Sequence, residues 1–504
     1  MKSLVFSHVP LWEAHHAEAV EIALSERDAG KEVVFLSCVG ALPTCPANPF
    51  KKESLCRSCR KQTQHTISKI LPKDIVKLEL KLGKNQYNKV SEFFTIDDLK
   101  KIELDGVPFG MMVYSTLTSN LNDSLFDVIK YKNTIKMLLQ SSIELFEYGL
   151  AIINAMSIDN IYVWNGRRSS DGPLLYAADQ LGIKYQAFIS GGRYNSILIR
   201  ENTHSVQDIE SASNDLKAIV HNIENNVNRM SITTKAINFF NYMCGSNNRA
   251  HLNNKGIVQF SKTFINDNSI KSLNKSNDRI IAVFLGTYSE YAGVEGYDEN
   301  DDFCNNFYEG VSFLQENLYK IENAKMIIRW HPNSKHLEGG ELKMLNKVIE
   351  RGKNIKNITH IPPESNFNTY NLIEECDTVI GFGTTVSIEA CLYGKPVIFI
   401  GHNMFENLRC FYKPTSYDEL LQLLKTNLVV GEFNHAIAWG YYFGNNGNYE
   451  YKYLEQKSDE LFFYDNKPLL VRYKYYRRRL GLIKIYIYGM FNSLLREAVR
   501  DRSV

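Results

Sequence analysis

The sequence has no uninterrupted apolar stretch that reaches the roughly 18–20 residues of a membrane-spanning helix. Its N-terminus, MKSLVFSHVPLWEAHH, carries one Lys and a very short apolar run, and it lacks the h-region of a secretory signal. The start reads as cytosolic. Cysteine is scarce and odd in number, nine in 504 residues. In a large chain without an export signal, structural disulfides are not expected. Net charge is nearly absent at +2. There is no low-complexity tract and no internal repeat beyond an alternation of strands and helices. With 44% apolar and 23% charged residues, the composition excludes a mostly disordered or a fibrous chain. One hydrophobic core stops growing at roughly 250–300 residues, so a chain of 504 defaults to two domains.

What is present is a strand–helix rhythm. Ser3–Ser7 and Glu32–Ser37 read as strands flanking a helix over Glu13–Ala29, whose Ala17, Val20, Ala23 and Leu24 share one face. Gly30 is placed to stop that helix. Asn160–Trp164, Gly172–Leu181 and Lys184–Ile189 repeat the unit. His204–Ser276 is polar and Asn-rich, with helical patches such as Asp208–Asn222, and it separates the halves. The second half opens on Arg279–Leu285, a buried-type strand. A helix (Asn305–Leu318), strands (Lys325–Trp330, Asn357–Ile361), a helix (Tyr370–Glu375), a strand (Thr378–Ile380), a helix (Thr384–Leu392) and a strand (Pro396–Ile400) follow. Such alternation predicts parallel sheets, hence an α/β fold of two doubly wound domains facing a cleft.

Two patterns carry chemistry. In the run Asp377–Ile398 a strand ends at Gly381, and Gly381 and Gly383 permit a tight turn. Thr384 and Thr385 then open a helix, where hydroxyls and free N–H groups converge on an anion site. Glu389 lies in the same helix, and Gly394-Lys-Pro396 ends it. The plain alternative is an ordinary strand–turn–helix capped by Thr. About fifty residues earlier, Ile328-Arg-Trp-His-Pro-Asn333 places His331 just past a strand's carboxyl end, facing the expected ligand cleft; the alternative is a solvent-facing loop His. Pro363-Glu-Ser-Asn366 and Tyr370 lie between the two.

The combination resembles the bacterial glycosyltransferases of capsule and lipopolysaccharide assembly that have the two-domain GT-B fold. The nearest likeness is to capsule polysaccharide biosynthesis proteins related to Kdo transferases, with bacterial sialyltransferases more distant. The resemblance is clear over about 280–405 and thinner over about 1–200. It implies that His331 and Pro332, with Thr384 and Thr385, bind the phosphate and ribose of a nucleotide-activated sugar. Arg329, Ser365, Gly383 and Glu389 fall in the same runs, and Gly286-Thr-Tyr-Ser-Glu-Tyr291 is similar to the turn that opens the donor domain, adding Gly286, Thr287 and Ser289. Asn165-Gly-Arg167, with Asp171, is similar to an N-terminal-domain strand end. The Thr-Thr pair stands where Ser-Thr is more usual, and the carboxylate-rich base motif of the sialyltransferases is absent.

Charge develops on the leaving phosphate during glycosyl transfer. His331 and the helix start at Thr384 would stabilise it, so transfer needs no metal cofactor. The acceptor hydroxyl needs a general base from the other domain. Candidates are Glu13, His15, His16 and Asp171, with Glu13 favoured over His16; the alternative is a helix-capping Glu13 and surface His15 and His16. Arg167 and Arg193 are candidates to bind an acidic acceptor, or else form surface salt bridges. Cys38, Cys45, Cys56 and Cys59 cluster after the second strand and suit a structural zinc site; unligated thiols, an iron–sulfur cluster and a redox pair are the alternatives.

From Lys467 to Val504 the chain holds ten Lys/Arg against two acids, which leaves that tail at +8 and the remainder at −6. Its bases are interleaved with Tyr, Ile and Leu, which suits an anionic membrane surface; a C-terminal helix packed across both domains is the alternative. The expected layout is an N-terminal acceptor-side domain (1–205), a polar helical interdomain region (206–277), a nucleotide-sugar-binding domain (278–440) and a basic helical tail (441–504). The expectation is a cytoplasmic transferase, peripheral on the inner face of the membrane, that builds a surface polysaccharide on a glycan or lipid-linked glycan acceptor. A CMP-sugar such as CMP-Kdo is the favoured donor and a UDP-sugar the next. The rivals are a polyol-phosphate transferase using a CDP-polyol, a nucleotide-sugar epimerase on the same fold, and a non-catalytic nucleic-acid-binding protein, although no nucleic-acid partner is expected of so acidic a body.

Overall fold

The computed structural model describes residues 1–83, 92–243, 250–252, 258–260, 278–294, 296–297, 303–304, 306–458 and 461–469. The first half runs β1 (Lys2–Ser7), α1 (Glu13–Asp28), β2 (Glu32–Ser37), α2 (Glu53–Lys69), β3 (Val76–Glu79), α3 (Ile96–Lys100), α4 (Phe109–Leu121), α5 (Lys132–Met156), β4 (Asn160–Trp164), α6 (Gly172–Gln180), β5 (Lys184–Ser190) and β6 (Ser196–Glu201). Helices α7 (Ile209–Glu224) and α8 (Arg229–Met243) and a hairpin of β7 (Ala250–Leu252) and β8 (Val258–Phe260) follow. The second half runs β9 (Arg279–Leu285), α9 (Phe307–Asn317), β10 (Ala324–Arg329), α10 (Gly339–Lys353), β11 (Ile358–Ile361), α11 (Thr369–Glu375), β12 (Thr378–Phe382), α12 (Val386–Leu392), β13 (Val397–Ile400), α13 (Tyr417–Lys425) and α14 (Phe433–Asn445). The described chain ends in β14 (Tyr449–Glu450), β15 (Leu454–Ser458), β16 (Leu461–Tyr464) and β17 (Lys467–Pro468).

One sheet has the order β14-β6-β5-β4-β1-β2-β3, and a second has the order β11-β10-β9-β12-β13. Strands β3, β2, β1, β4 and β5 are parallel, and so is the whole second sheet. Each winds outward from a central first strand, as Rossmann-like domains do. Alternating side chains explain the two covered faces. Leu4 and Phe6 of β1 join Val113, Leu138 and Leu174 under α4, α5 and α6, whereas Val5 joins Val20 and Leu24 of α1. In the second domain Ile281, Val283 and Leu285 meet Val311, Leu345 and Leu420, while Ile280, Ala282 and Phe284 meet the opposite layer. Burying each large side chain contributes about 1.5–3 kcal/mol.

That opposite layer includes Leu216, Val220, Ala236 and Phe240, so α7 and α8 of the expected interdomain region pack with α14 onto the second domain. The expectation of a helical tail from 441 is corrected over 441–469. Only the end of α14 is helical there; the chain then returns to the first domain as strands. The physical reason is a period of two: Tyr449, Tyr451 and Tyr453 alternate, and with Leu454 and Phe462 they cover α1. The backbone N–H groups of Lys452, Tyr453 and Leu454 donate to the Glu21 carboxylate, and Gln62 Nε2 donates to Leu469 O. The rest of the basic tail, 470–504, lies outside the described residues. No helix among the described residues is long and apolar enough to cross a membrane.

Candidate active site

The carboxyl ends of β9, β12 and β13 meet at one place, and each ends in glycine. Gly286 N donates to Phe382 O and Gly383 N to Ile400 O. A Cβ on Gly286 would stand 2.8 Å from Gly383 O, and one on Gly383, at φ +56°, 2.7 Å from Phe307 Cζ. Gly401 has φ +97°. The missing side chains let these strand ends pack against one another and against Phe307, and Gly383 and Gly401 line the cleft.

Opposite these strand ends lie Thr95, Asp97 and Lys100 of the α3 region, Tyr114 of α4, and Ser124 and Leu125. The two domains enclose a cavity of about 500 Å³, within the range of small-molecule sites. Its walls are aromatic in part: Tyr291 stacks on Tyr297 with centroids 4.5 Å apart, and Tyr288 on Phe307 at 4.5 Å. Thr287 lines the cavity with its hydroxyl buried and without a hydrogen-bond partner. His402, two residues past β13, also lines it, and the Glu406 carboxylate holds its Nδ1 at 2.9 Å. The His402 contact and Lys413 hold the Glu406 carboxyl below its usual range despite burial.

The domains are tied together beside this cavity. Asp123, at the end of α4, caps α10 of the other domain by accepting from Gly340 N and Glu341 N, both at 2.9 Å. Glu341 accepts from Ser124 N, Ser124 Oγ and Tyr308 Oη. Burial raises the Glu341 carboxyl against the pull of those bonds.

The sequence candidates fall into three groups. Thr287 and Gly383 line the cavity, and Gly286 packs behind Gly383. The others on the donor side stand behind it or beside it. His331 follows β10, its Nδ1 accepting from Asn333 N ahead of the turn begun by Pro332. Arg329 is corrected to a strut: its guanidinium donates to Pro362 O and Ser365 O and holds that loop in place. Ser365 Oγ accepts from Phe367 N. Thr384 Oγ1 accepts from Val386 N. Glu389 accepts from Tyr370 Oη at 2.8 Å and from the Thr385 hydroxyl, and its burial raises its pKa. Ser289 O accepts from the Arg167 guanidinium.

On the acceptor side the expectations need correcting. His16 is a core residue, 1% exposed, bonded through Nδ1 to Ser7 Oγ and through Nε2 to Thr66 Oγ1. Burial lowers its pKa to about 3. Glu13 is buried and accepts from Phe462 N. Asp171 is fully enclosed, accepting from Arg168 N and Ser170 Oγ, with His8 Nε2 at 3.5 Å. None of the three lines the cavity. Arg167 spans the domains to Ala292 O and Ser289 O, so it is a clasp. Arg193 is bound to Asn445 O, Gly447 O and Glu450.

Asp97 and His402 were missed, and both had signals. Thr95-Ile-Asp-Asp98 spells a capping box, and both of its hydrogen-bond arms form, which leaves Asp97 exposed in a first helical turn. Gly401-His402 follows a strand's carboxyl end just as His331 does. His8 was missed too: one residue beyond β1, it is enclosed between Phe6 and Trp164, and its Nδ1 has no hydrogen-bond partner.

No family model matches the chain, and no curated protein matches it. Among solved structures it is similar to a β-Kdo 2,4-transferase, KpsC of Thermosulfurimonas dismutans, at 13% identity over 62% of this chain and 84% of that one, with a TM-score of 0.31. It is similar to MurG of Acinetobacter baumannii at 9% identity over 87% and 95%, with a TM-score of 0.27. It is also similar to a UDP-GlcNAc 2-epimerase of Neisseria meningitidis at 10% identity over 88% and 97%, with a TM-score of 0.26. The assignment of two Rossmann-like domains rests on the strand orders above.

Proposed function

We propose that the protein is a glycosyltransferase that moves a sugar from a nucleotide-activated donor to a hydroxyl of a surface-polysaccharide acceptor. The observation that carries this reading is the cavity of about 500 Å³ between the domains, lined by Thr287 after β9, Gly383 after β12 and Gly401 after β13 and flanked by stacked aromatics. Its size suits a nucleotide sugar. The Thr287 hydroxyl is a buried polar group that a ligand would satisfy. His402, oriented by Glu406, supplies a donor for phosphate charge as the glycosidic bond to the nucleotide breaks. A CMP-sugar such as CMP-Kdo is the preferred donor and a UDP-sugar the second choice. The basic tail would bring this chemistry to the inner face of an anionic membrane.

The acceptor's proton needs a base on the opposite wall. Asp97 is the one carboxylate among the described residues lining the cavity, and it comes from the other domain. As the acceptor oxygen attacks the anomeric carbon, Asp97 takes its proton. The test is Asp97→Asn assayed with a panel of nucleotide sugars and a glycan acceptor. Turnover should fall about 10²–10⁴-fold with nucleotide affinity retained. Undiminished transfer by a folded Asp97→Asn protein would refute this assignment.

A further inference from the structure

Cys38, Cys45, Cys56 and Cys59 line one small cavity, but no three of their sulfurs lie within 4.8 Å of one another, so the structure does not build the metal site expected there. The first domain's wall of the large cavity holds a different pair. Asp97 and Lys100 of α3 both line it, three residues apart, which puts them on one helix face with Cβ atoms about 5–6 Å apart. Lys100 is the one Lys or Arg among the described residues lining that cavity.

The helix that carries the pair is held in place. Thr95 N donates to Asp98 Oδ2 and Asp98 N to Thr95 Oγ1, which closes the first turn. Behind it Gly110 N donates to Ile102 O at 2.8 Å, and a Cβ on Gly110 would clash with Leu99 O, so α4 comes this close because that residue is glycine. Tyr114, one turn further along α4, lies beneath the Lys100 ammonium, with Nζ 4.3 Å from the ring centroid. Tyr114 is itself buried, against Phe126 at 6.1 Å. The ring face attracts the ammonium and keeps it at the cavity wall.

Thr287, Gly383 and His402, on the second domain's wall, take the donor nucleotide in the reading above. Asp97 takes the acceptor's proton, so the attacking hydroxyl lies against α3, and other substituents of the same sugar ring come within reach of Lys100. The Asp97 carboxylate by itself would repel an acidic sugar. An ammonium beside it offsets that repulsion and adds a charge-assisted hydrogen bond, a gain that a neutral sugar does not draw. We propose, on the transferase reading given above, that Lys100 selects an acceptor whose reacting sugar carries an anionic group, a carboxylate or a phosphate. Arg167 and Arg193, expected in this role, are engaged elsewhere, by Ser289 O and Ala292 O and by Glu450.

The test measures transfer by the full chain to oligosaccharides of an acidic capsular polysaccharide, either native, carboxyl-reduced or phosphatase-treated. Removing the anionic group should cut wild-type kcat/KM about 10–100-fold, mainly through KM, the scale of one hydrogen bond to a charged group. The treatment that has this effect tells carboxylate from phosphate, and the comparison needs no variant to fold. Lys100→Met should lose as much on the native acceptor and little more on the neutralised one, whereas Lys100→Arg should keep the preference. A wild type that uses native and neutralised acceptors equally, or a Lys100→Met protein that loses as much as wild type on neutralisation, would overturn the proposal and leave the transferase reading standing. No transfer from any nucleotide sugar would refute that reading and the proposal with it.

Discussion

Replacing His16 with Gln separates a structural histidine from a catalytic one. The imidazole is enclosed, and its two nitrogens hold Ser7 of β1 and Thr66 of α2 at 2.9 and 2.7 Å. Burial, with the nearby His65 charge adding, lowers its pKa from 6.5 to about 3. The folded protein thus keeps the ring neutral where the unfolded chain protonates it. Below pH 6.5 the unfolded state binds the extra proton, so this contribution to stability is whole above pH 6.5 and is lost as pH falls toward 3. Each unit is worth about 1.4 kcal/mol, so at pH 4.5 the loss is about 2.5–3 kcal/mol, a large part of a typical 5–15 kcal/mol. Urea unfolding of wild type and His16→Gln at pH 7 and pH 4.5 measures it. The variant should be about 1–3 kcal/mol less stable at pH 7, because two buried hydroxyls lose their partner, yet it should lose less on acidification. Turnover of the folded variant should stay within a few-fold of wild type. Parallel pH dependences would refute the reasoning, and a hundredfold loss of turnover would return His16 to the chemistry.

Three other outcomes are expected. His402→Ala should cut turnover about 10²–10³-fold, since it removes the donor that Glu406 orients in the cavity wall; unchanged turnover in the folded variant would remove it from the mechanism. Asp123→Ala removes a helix cap that crosses the domains, and calorimetry should show a loss of about 0.5–2 kcal/mol together with weaker nucleotide binding; a variant as stable as wild type would contradict the clasp. Deleting the residues after Leu469, which is itself buried, should abolish sedimentation with anionic vesicles at high and low salt while leaving nucleotide binding intact; equal sedimentation of both forms would show the anchor lies elsewhere.

The two sheets were legible because their central strands are short apolar runs that stop at glycine or polar residues. Ser3–Ser7, Asn160–Trp164, Arg279–Leu285 and Thr378–Ile380 each match a strand to within two residues. Helix α5 was passed over although Ile135, Leu138, Leu139 and Phe146 mark a buried face over 25 residues. The tail strands were misread because Tyr and Lys at Tyr449–Tyr453 suit a membrane-facing helix as well as an edge strand, and only contact with Glu21 decides between them. The site was half legible. Strand-end glycines and His331 follow from local rules, whereas the burial of His16 and Asp171 and the facing of Asp97 toward Thr287 are set by how distant segments pack. No local spacing carries that information.

The central claim is that the interdomain cavity binds a nucleotide. Thermal melts of the protein with CMP, UDP, GDP and CDP test it most directly, since a ligand that binds only the folded state raises its stability, by about 2.7 kcal/mol at a hundred times Kd. The account predicts that CMP, or failing that UDP, raises the melting temperature of the wild type and raises it less in Thr287→Val, whose cavity lacks the unsatisfied hydroxyl. No shift with any of the four nucleotides, or an equal shift in Thr287→Val and in a Gly383→Leu protein whose cleft is blocked, would contradict it.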